Sequence, residues 1–321
     1  MQTVYLDNYG FVPDIIGTAC ASSIKLKDLE FRVPCGKCLP CQKKRRSEWT
    51  LRLEHEYLFS ESALFITLTY ADAHIPTVRK RFENTYKGKY VSTSYIKIPT
   101  LNKKHVQDYI KRLRNEHVKY VTKTLGCSKK EVKLRSRPLR YYAVGEYGSK
   151  TRRPHYHLIL FNMDVDNIAP VKNQWKYGMS DVGTVTAASI NYVTKYMFKQ
   201  FNRKTDKRQA PFSLMSKKPL IGHDYIQNYG VHHIESESLE VRDQNGHVRR
   251  LPKAYLRRLF TNKEDRIELS RKSYEKHIEK KMKLFEEKVE KYHGGKILDY
   301  QISKEADLAR HREIVNNNET I

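Results

Sequence analysis

Two strand-length runs, LRYYAVGE at 139–146 and HYHLILF at 155–161, flank the short connector YGSKTRRP. This pair constrains the fold more than any other feature of the chain. Both runs are rich in aromatic and aliphatic residues, and a Gly- and Pro-containing link of this length joins antiparallel neighbours. Successive side chains of a strand point to opposite faces, so His155 and His157 share a face with Ile159 and Phe161. Pairing of the two runs brings Glu146 beside the imidazoles. One carboxylate and two ring nitrogens form a partial shell for Mg²⁺ or Mn²⁺, with positions left for phosphate oxygens; zinc accepts the same ligands. A solvated turn carboxylate and two hydrogen-bonded histidines would look the same in sequence.

Charge narrows the choice of partner. Lys and Arg number 61 against 36 Asp and Glu, a net charge of +25, which is foreign to ordinary metabolic enzymes and calls for a polyanion, nucleic acid first. A membrane fits less well, because no apolar run approaches 20 residues and MQTVYLDNYGFVPD lacks the basic start and apolar middle of a secretory leader. The 22 tyrosines suit stacking on unpaired bases, or more simply half-buried sheet positions. Five cysteines, an odd number, indicate a reducing compartment rather than a disulfide framework. Cys35, Cys38 and Cys41 have the spacing of three thiolate ligands. Structural Zn²⁺ would need a fourth from Cys20, Cys127 or a histidine; an iron–sulfur cluster, or reduced cysteines in a Pro/Gly-bounded turn, are the alternatives.

Periodicity supplies the remaining elements. CQKKRRSEWTLRLEHEYLFSES reads as a helix with Trp49, Leu53 and Tyr57 on one face. ALFITLTY, 63 to 70, reads as a strand, and 72–99 as a polar loop or hairpin. Asn102 caps and Gly126 ends a second helix with Val106, Ile110, Leu113 and Val121 as its stripe. TAASINYVTKYMFKQF forms a third helix with Ile190, Val193, Met197 and Phe201 on its apolar side. Asn245-Gly246 marks a hairpin, and 262–291 a charged helix with Tyr274, Ile278, Phe285 and Val289 as its stripe. The order implies an α+β fold whose mainly antiparallel sheet is covered on one face by helices, with a helical C-terminal extension. The expected organisation is a Cys-rich segment and basic helix at 1–60, a core at 61–204, and an extension at 205–321.

On the third helix Tyr192 and Tyr196 lie four apart and share a face, with Lys195 and Lys199 on the same polar side. A phenol attacks poorly when protonated, but neighbouring cations favour phenolate and a metal-polarised phosphate is an easier target.

Taken together, FITLTY at 65–70, PHYHLILF at 154–161 and YVTKYMFK at 192–199 resemble, in order and spacing, the three motifs of the HUH endonucleases. Within that superfamily the chain resembles the rolling-circle replication initiators of microviruses, gokushovirus type, and CGKCLPCQKKRRSEWTLRLEHE at 35–56 resembles their opening. The resemblance covers about residues 60 to 200. It implies a ferredoxin- or RRM-like core, metal ligation by His155, His157 and Glu146, and alternating nucleophiles Tyr192 and Tyr196, with Lys195 steadying phosphate or assisting proton transfer. It implies nicking of origin DNA through a 5′-phosphotyrosine link, strand joining, and action in the cytoplasm of a bacterial host. Lys43, Lys44, Arg45, Arg46, Arg152, Arg153 and Lys199 are the candidate DNA contacts, although a basic run opening a helix is also an ordinary solvated face. Because no GxxxxGK[ST] loop is present, strand separation falls to a host helicase, alongside a host polymerase. The rival readings are an HUH tyrosine transposase and a basic DNA-binding or packaging protein without chemistry.

Overall fold

The computed structural model describes residues 24–25, 32–33, 35–164, 168–195, 207–243 and 246–293. Its centre is the pair anticipated above: β6 (Arg140–Tyr147) and β7 (Pro154–Phe161) run antiparallel, with Glu146 opposite His155 and Val144 opposite His157. β3 (Ala63–Thr69) pairs with the other edge of β7, setting Thr67 opposite His157 and Thr69 opposite His155. The sheet is completed by β8 (Ser180–Thr184) beside β3 and β9 (Phe212–Met215) beside β6, giving a five-stranded antiparallel order β8-β3-β7-β6-β9. The fold is α+β, as expected.

Helices cover both faces of this sheet rather than one. On one face α2 (Lys103–Leu125) packs Val106, Tyr109, Ile110 and Leu113 against Leu64, Ile66, Leu68, Tyr156, Leu158 and Leu160. Asn102 Oδ1 accepts the Lys104 N–H at 2.9 Å to cap the start, and Gly126, left-handed at φ 56°, ends it. On the other face Leu53 of α1 (Leu39–Leu58) and Ile190 and Val193 of α5 (Ala187–Lys195) pack against Tyr142, Val144, Ile159 and Phe161. The reason lies in LILF, where consecutive residues of β7 are all apolar, as in strands buried on both sides.

The helix α1 also departs from the simple amphipathic pattern. Leu53 meets the sheet while Leu51 is buried against Tyr225, Leu239, Tyr255 and Leu256, so the helix is sandwiched and Tyr57 is left 40% exposed. Those partners come from α6 (His223–Glu235), the connection after it, and α7 (Lys253–Leu259), two helices with no distinct signal in the sequence. The elements not yet named are short strands β1 (Ile24–Lys25) and β2 (Arg32–Val33), helices α3 (Val132–Arg135) and α4 (Ile168–Asn173), hairpin strands β10 (Glu240–Arg242) and β11 (Val248–Arg250), and the charged α8 (Lys263–His293). Asn245 and the apolar stripe expected for α8, Tyr274, Ile278, Phe285 and Val289, lie outside the described residues and side chains.

Residues 72–99 form a hairpin. β4 (Thr77–Tyr86) and β5 (Lys89–Pro99) turn through Lys87-Gly88, both with positive φ (49° and 76°), the backbone that a tight two-residue hairpin turn demands. This ribbon forms a sheet of its own, separate from the five-stranded one. Among the described residues no helix is long and apolar enough to cross a membrane.

Candidate active site

The site lies at the end of the central sheet where β3 finishes and β7 begins. Glu146, His155 and His157 project from one face of two adjacent strands, and their ligand atoms lie within 4.8 Å of one another. Glu146 is 1% exposed and His157 is buried. A carboxylate so deep is tolerated only with partners. Its Oε1 is 2.9 Å from His155 Nε2 and 3.3 Å from His157 Nε2.

The second nitrogen of each ring fixes what the first can do. His155 Nδ1 is 3.2 Å from the Arg153 carbonyl, which only accepts, so Nδ1 carries the proton and Nε2 faces Glu146 with a lone pair. His157 Nδ1 is 3.1 Å from Thr67 Oγ1. A hydroxyl can accept there too, which leaves the His157 Nε2 lone pair pointing at the same centre. A carboxylate oxygen and two bare ring nitrogens then converge, an arrangement that is repulsive until a cation lies among them. This donor set fits a divalent metal, and the Arg153 carbonyl and Thr67 are the outer partners that such ligand histidines use.

Tyr192 closes one side. Helix α5 begins with a reciprocal cap, in which the Ser189 N–H donates to Thr186 Oγ1 and the Thr186 N–H to Ser189 Oγ, each at 3.2 Å. Its inner face carries Ile190 and Val193 into the core, and buried Thr194 meets Thr50 of α1 through their hydroxyls at 3.1 Å. Held this way, the Tyr192 hydroxyl stands 3.4 Å from His157 Nε2, with the two rings edge to face at 4.9 Å. Phe65 lies parallel to His157 at 5.9 Å and meets the Tyr192 ring edge-on at 6.2 Å. Tyr192 is 39% exposed, so its oxygen is reachable from solvent.

The other anticipated residues fall in several places. Lys195 is exposed at the last described turn of α5, and Tyr196, Lys199, Met197 and Phe201 lie outside the described residues. Arg46 donates to the Asn191 carbonyl at 3.1 Å and so touches the tyrosine-bearing helix; Lys43 and Arg45 are exposed and Lys44 half-buried. Arg152 is exposed at the connector, whereas Arg153 pairs with Asp72 at 2.6 Å and donates to the Tyr70 carbonyl. Tyr156 points to the opposite face, fully buried against Tyr70, with the two hydroxyls 2.8 Å apart. Cys35, Cys38 and Cys41 gather their sulfurs within 4.8 Å at the start of α1. Cys127 does not join them: it is buried with Val121 and Val132 beyond α2, and Cys20 is outside the described residues. Thr67 and Phe65 were not assigned from sequence, because their place beside His157 depends on β3–β7 register, across some 90 residues of chain.

Comparison with known proteins agrees with this geometry. Residues 63–201 match a family model of replication-associated proteins, the ORF2 type. The chain is 30% identical over 216 residues to replication-associated protein VP4 of Bdellovibrio phage phiMH2K, an alignment that spans 62% of this chain and 59% of that protein. It is 26% identical over 256 residues to replication-associated protein ORF2 of Spiroplasma virus 4, covering 74% of this chain and 70% of the relative. Replication-associated protein ORF4 of Chlamydia phage 1 is 25% identical over 228 residues, covering 64% and 48%. No solved structure matches the chain. Residues 63–201, the stretch that carries Glu146, His155, His157 and Tyr192, belong to the ORF2-type family of replication-associated proteins.

Proposed function

We propose that this chain initiates rolling-circle replication of a small circular single-stranded DNA phage genome, as an HUH-type, metal-dependent DNA nickase and strand joiner. The observation that carries the reading is a tyrosine hydroxyl 3.4 Å from the Nε2 of a histidine whose ligand atoms lie within 4.8 Å of a second histidine and a buried carboxylate. Mg²⁺ or Mn²⁺ held by Glu146, His155 and His157 would polarise a DNA phosphate and offset its charge. Tyr192 Oη bonds to phosphorus, the P–O3′ bond breaks, and the phenol proton ends on the departing 3′ oxygen. The 5′ phosphate stays on the tyrosine while the 3′ hydroxyl primes synthesis. Tyr196 serves the second cut, after which the released strand is joined, and Lys195 steadies the phosphate.

Residues 61–204 are the nuclease core in this reading, with 1–60 and 205–321 flanking it. Lys43, Lys44, Arg45, Arg46, Arg152, Arg153 and Lys199 hold DNA phosphates, and host helicase and polymerase supply unwinding and synthesis. The three-cysteine group is assigned to structural zinc, which its thiolates suit. The test is incubation of the protein with labelled single strands from its own replicon and Mn²⁺, resolved under denaturing conditions. A metal-dependent covalent adduct is expected. Tight binding without any adduct, metal present, would favour a packaging protein.

A further inference from the structure

The β4–β5 ribbon has no role in the chemistry above, yet it is the most exposed aromatic and basic feature of the described chain. Residues 77–99 hold six Lys and Arg, at 79, 80, 81, 87, 89 and 97, against one acidic residue, Glu83. Tyr95 is 63% and Tyr90 61% exposed. A two-stranded hairpin is marginal in water by itself, so exposing this much aromatic surface on one implies a surface that meets a partner.

Register decides which residues act together. Arg79 stands opposite Lys97 and Arg81 opposite Tyr95, so these four share one face of the ribbon. The other face sets Lys80 opposite Ile96. Ten paired residues at roughly 3.3 Å each give a ribbon of about 33 Å, close to one turn of B-form DNA at roughly 34 Å. The major groove, about 12 Å wide, admits a two-stranded ribbon. The root of the ribbon matters as well. β4 leaves β3 through residues 70–76, and β3 ends at Thr69, opposite His155. That connection is held to the site end of the sheet by Arg153 on Asp72 and by the Ala71 N–H on the Tyr177 carbonyl at 2.8 Å.

We propose that the ribbon 77–99 seats double-stranded DNA on its Arg79, Arg81, Lys97 and Tyr95 face, so that a single strand leaving the duplex end passes the Glu146, His155 and His157 site. The inference rests on DNA being the partner. Duplex is favoured over free single strand because the cations form a straight row along a stiff ribbon as long as a helical turn.

The experiment measures anisotropy of a labelled 20-base-pair duplex and of a 20-nucleotide oligo-dT with the full chain in EDTA, across a salt series. The triple variant Arg79→Gln, Arg81→Gln, Lys97→Gln removes exposed charge only, and its thermal midpoint checks folding. With three phosphate-neutralising cations removed at a slope of about 0.9 each, the log–log salt slope for duplex should flatten by roughly 3 and affinity at 0.15 M salt should fall on the order of 100-fold. Oligo-dT binding should fall far less, and Arg79→Lys with Arg81→Lys should keep the wild-type slope. Unchanged duplex binding, or an equal loss on both DNAs, overturns the proposal. So does loss of binding to anionic phosphatidylglycerol vesicles with duplex affinity intact, which would assign the ribbon to a lipid surface. Failure of the wild-type protein to form a covalent adduct would count against nicking and leave this binding result standing.

Discussion

Replacing Thr67 by Val should weaken metal binding although Thr67 is not one of the proposed ligands. The two side chains have nearly the same shape, so the change removes one oxygen, the one 3.1 Å from His157 Nδ1. His157 is buried, and a buried N–H without an acceptor costs about 1–3 kcal/mol. Without metal the variant escapes that cost by moving the ring proton to Nε2, where Glu146 Oε1 at 3.3 Å accepts it. A metal needs the Nε2 lone pair, so binding must drive the proton back to an unsatisfied Nδ1. The penalty therefore appears in metal affinity, as roughly a 10- to 100-fold rise in Kd. Titration calorimetry with Mn²⁺ measures it, with Thr67→Ser expected to behave as wild type. Ring ¹⁵N shifts should show the His157 tautomer reversed in the metal-free Val variant. An Mn²⁺ affinity within about twofold of wild type would refute the assignment of Nε2 as ligand and Thr67 as its orienter.

Three further outcomes follow from other parts of the molecule. Burial, with His233 and Arg249 adding to it, pulls His55 down to about 4, where it stacks on Tyr225 at 3.8 Å. The unfolded chain therefore takes up this proton first; His55 contributes its full stability above about pH 6.5 and loses about 3 kcal/mol of it as pH falls to about 4. Chemical denaturation of wild type and His55→Phe should show that extra slope in the wild type alone, and parallel curves would contradict it. Glu56 and Arg140 form a buried ion pair that ties α1 to β6, with Arg140 also donating to the Leu220 carbonyl at 2.8 Å and Glu56 accepting the Gly222 N–H at 2.6 Å. Glu56→Ala should cost about 3–5 kcal/mol, and adding Arg140→Met should recover part of it; a denaturant midpoint unmoved by Glu56→Ala would refute that latch. Glu146→Gln keeps the shape of a residue that is 1% exposed but removes its charge. Calorimetry should find Mn²⁺ binding weakened more than in Thr67→Val, and equal affinities would remove Glu146 from the shell.

How much of this was legible in the sequence depends on the distance between partners. Glu146 and the histidines are joined by one short connector, so strand periodicity alone set them together, as the observed register does. The helix holding Tyr192 was also readable, from its stripe at Ile190 and Val193. Thr67 was not, because strand threonines are common and only the β3–β7 pairing distinguishes this one. The edge strands escaped for a different reason: SDVGT carries Asp and Gly, and FSLM has four residues, too few for a period to emerge. α6 was hidden by Gly230 and by polar residues along its length, and it is held by burial of Tyr225 and His233 rather than by propensity. The expectation of a one-sided sheet failed because the second covering layer comes partly from α1, whose basic surface resembles a solvated helix until Leu51 and Leu53 are seen buried on different sides.

The central claim is that Tyr192 is joined to DNA in a metal-dependent reaction. The direct measurement is mass spectrometry of the tryptic peptides from protein incubated with origin-region single strands and Mn²⁺. A nucleotide mass on the Tyr192 side chain in wild type, absent with EDTA and absent in Tyr192→Phe when Tyr196 is also Phe, is the predicted result. A DNA-linked peptide that excludes both tyrosines, or an adduct that survives the double replacement, would contradict the account.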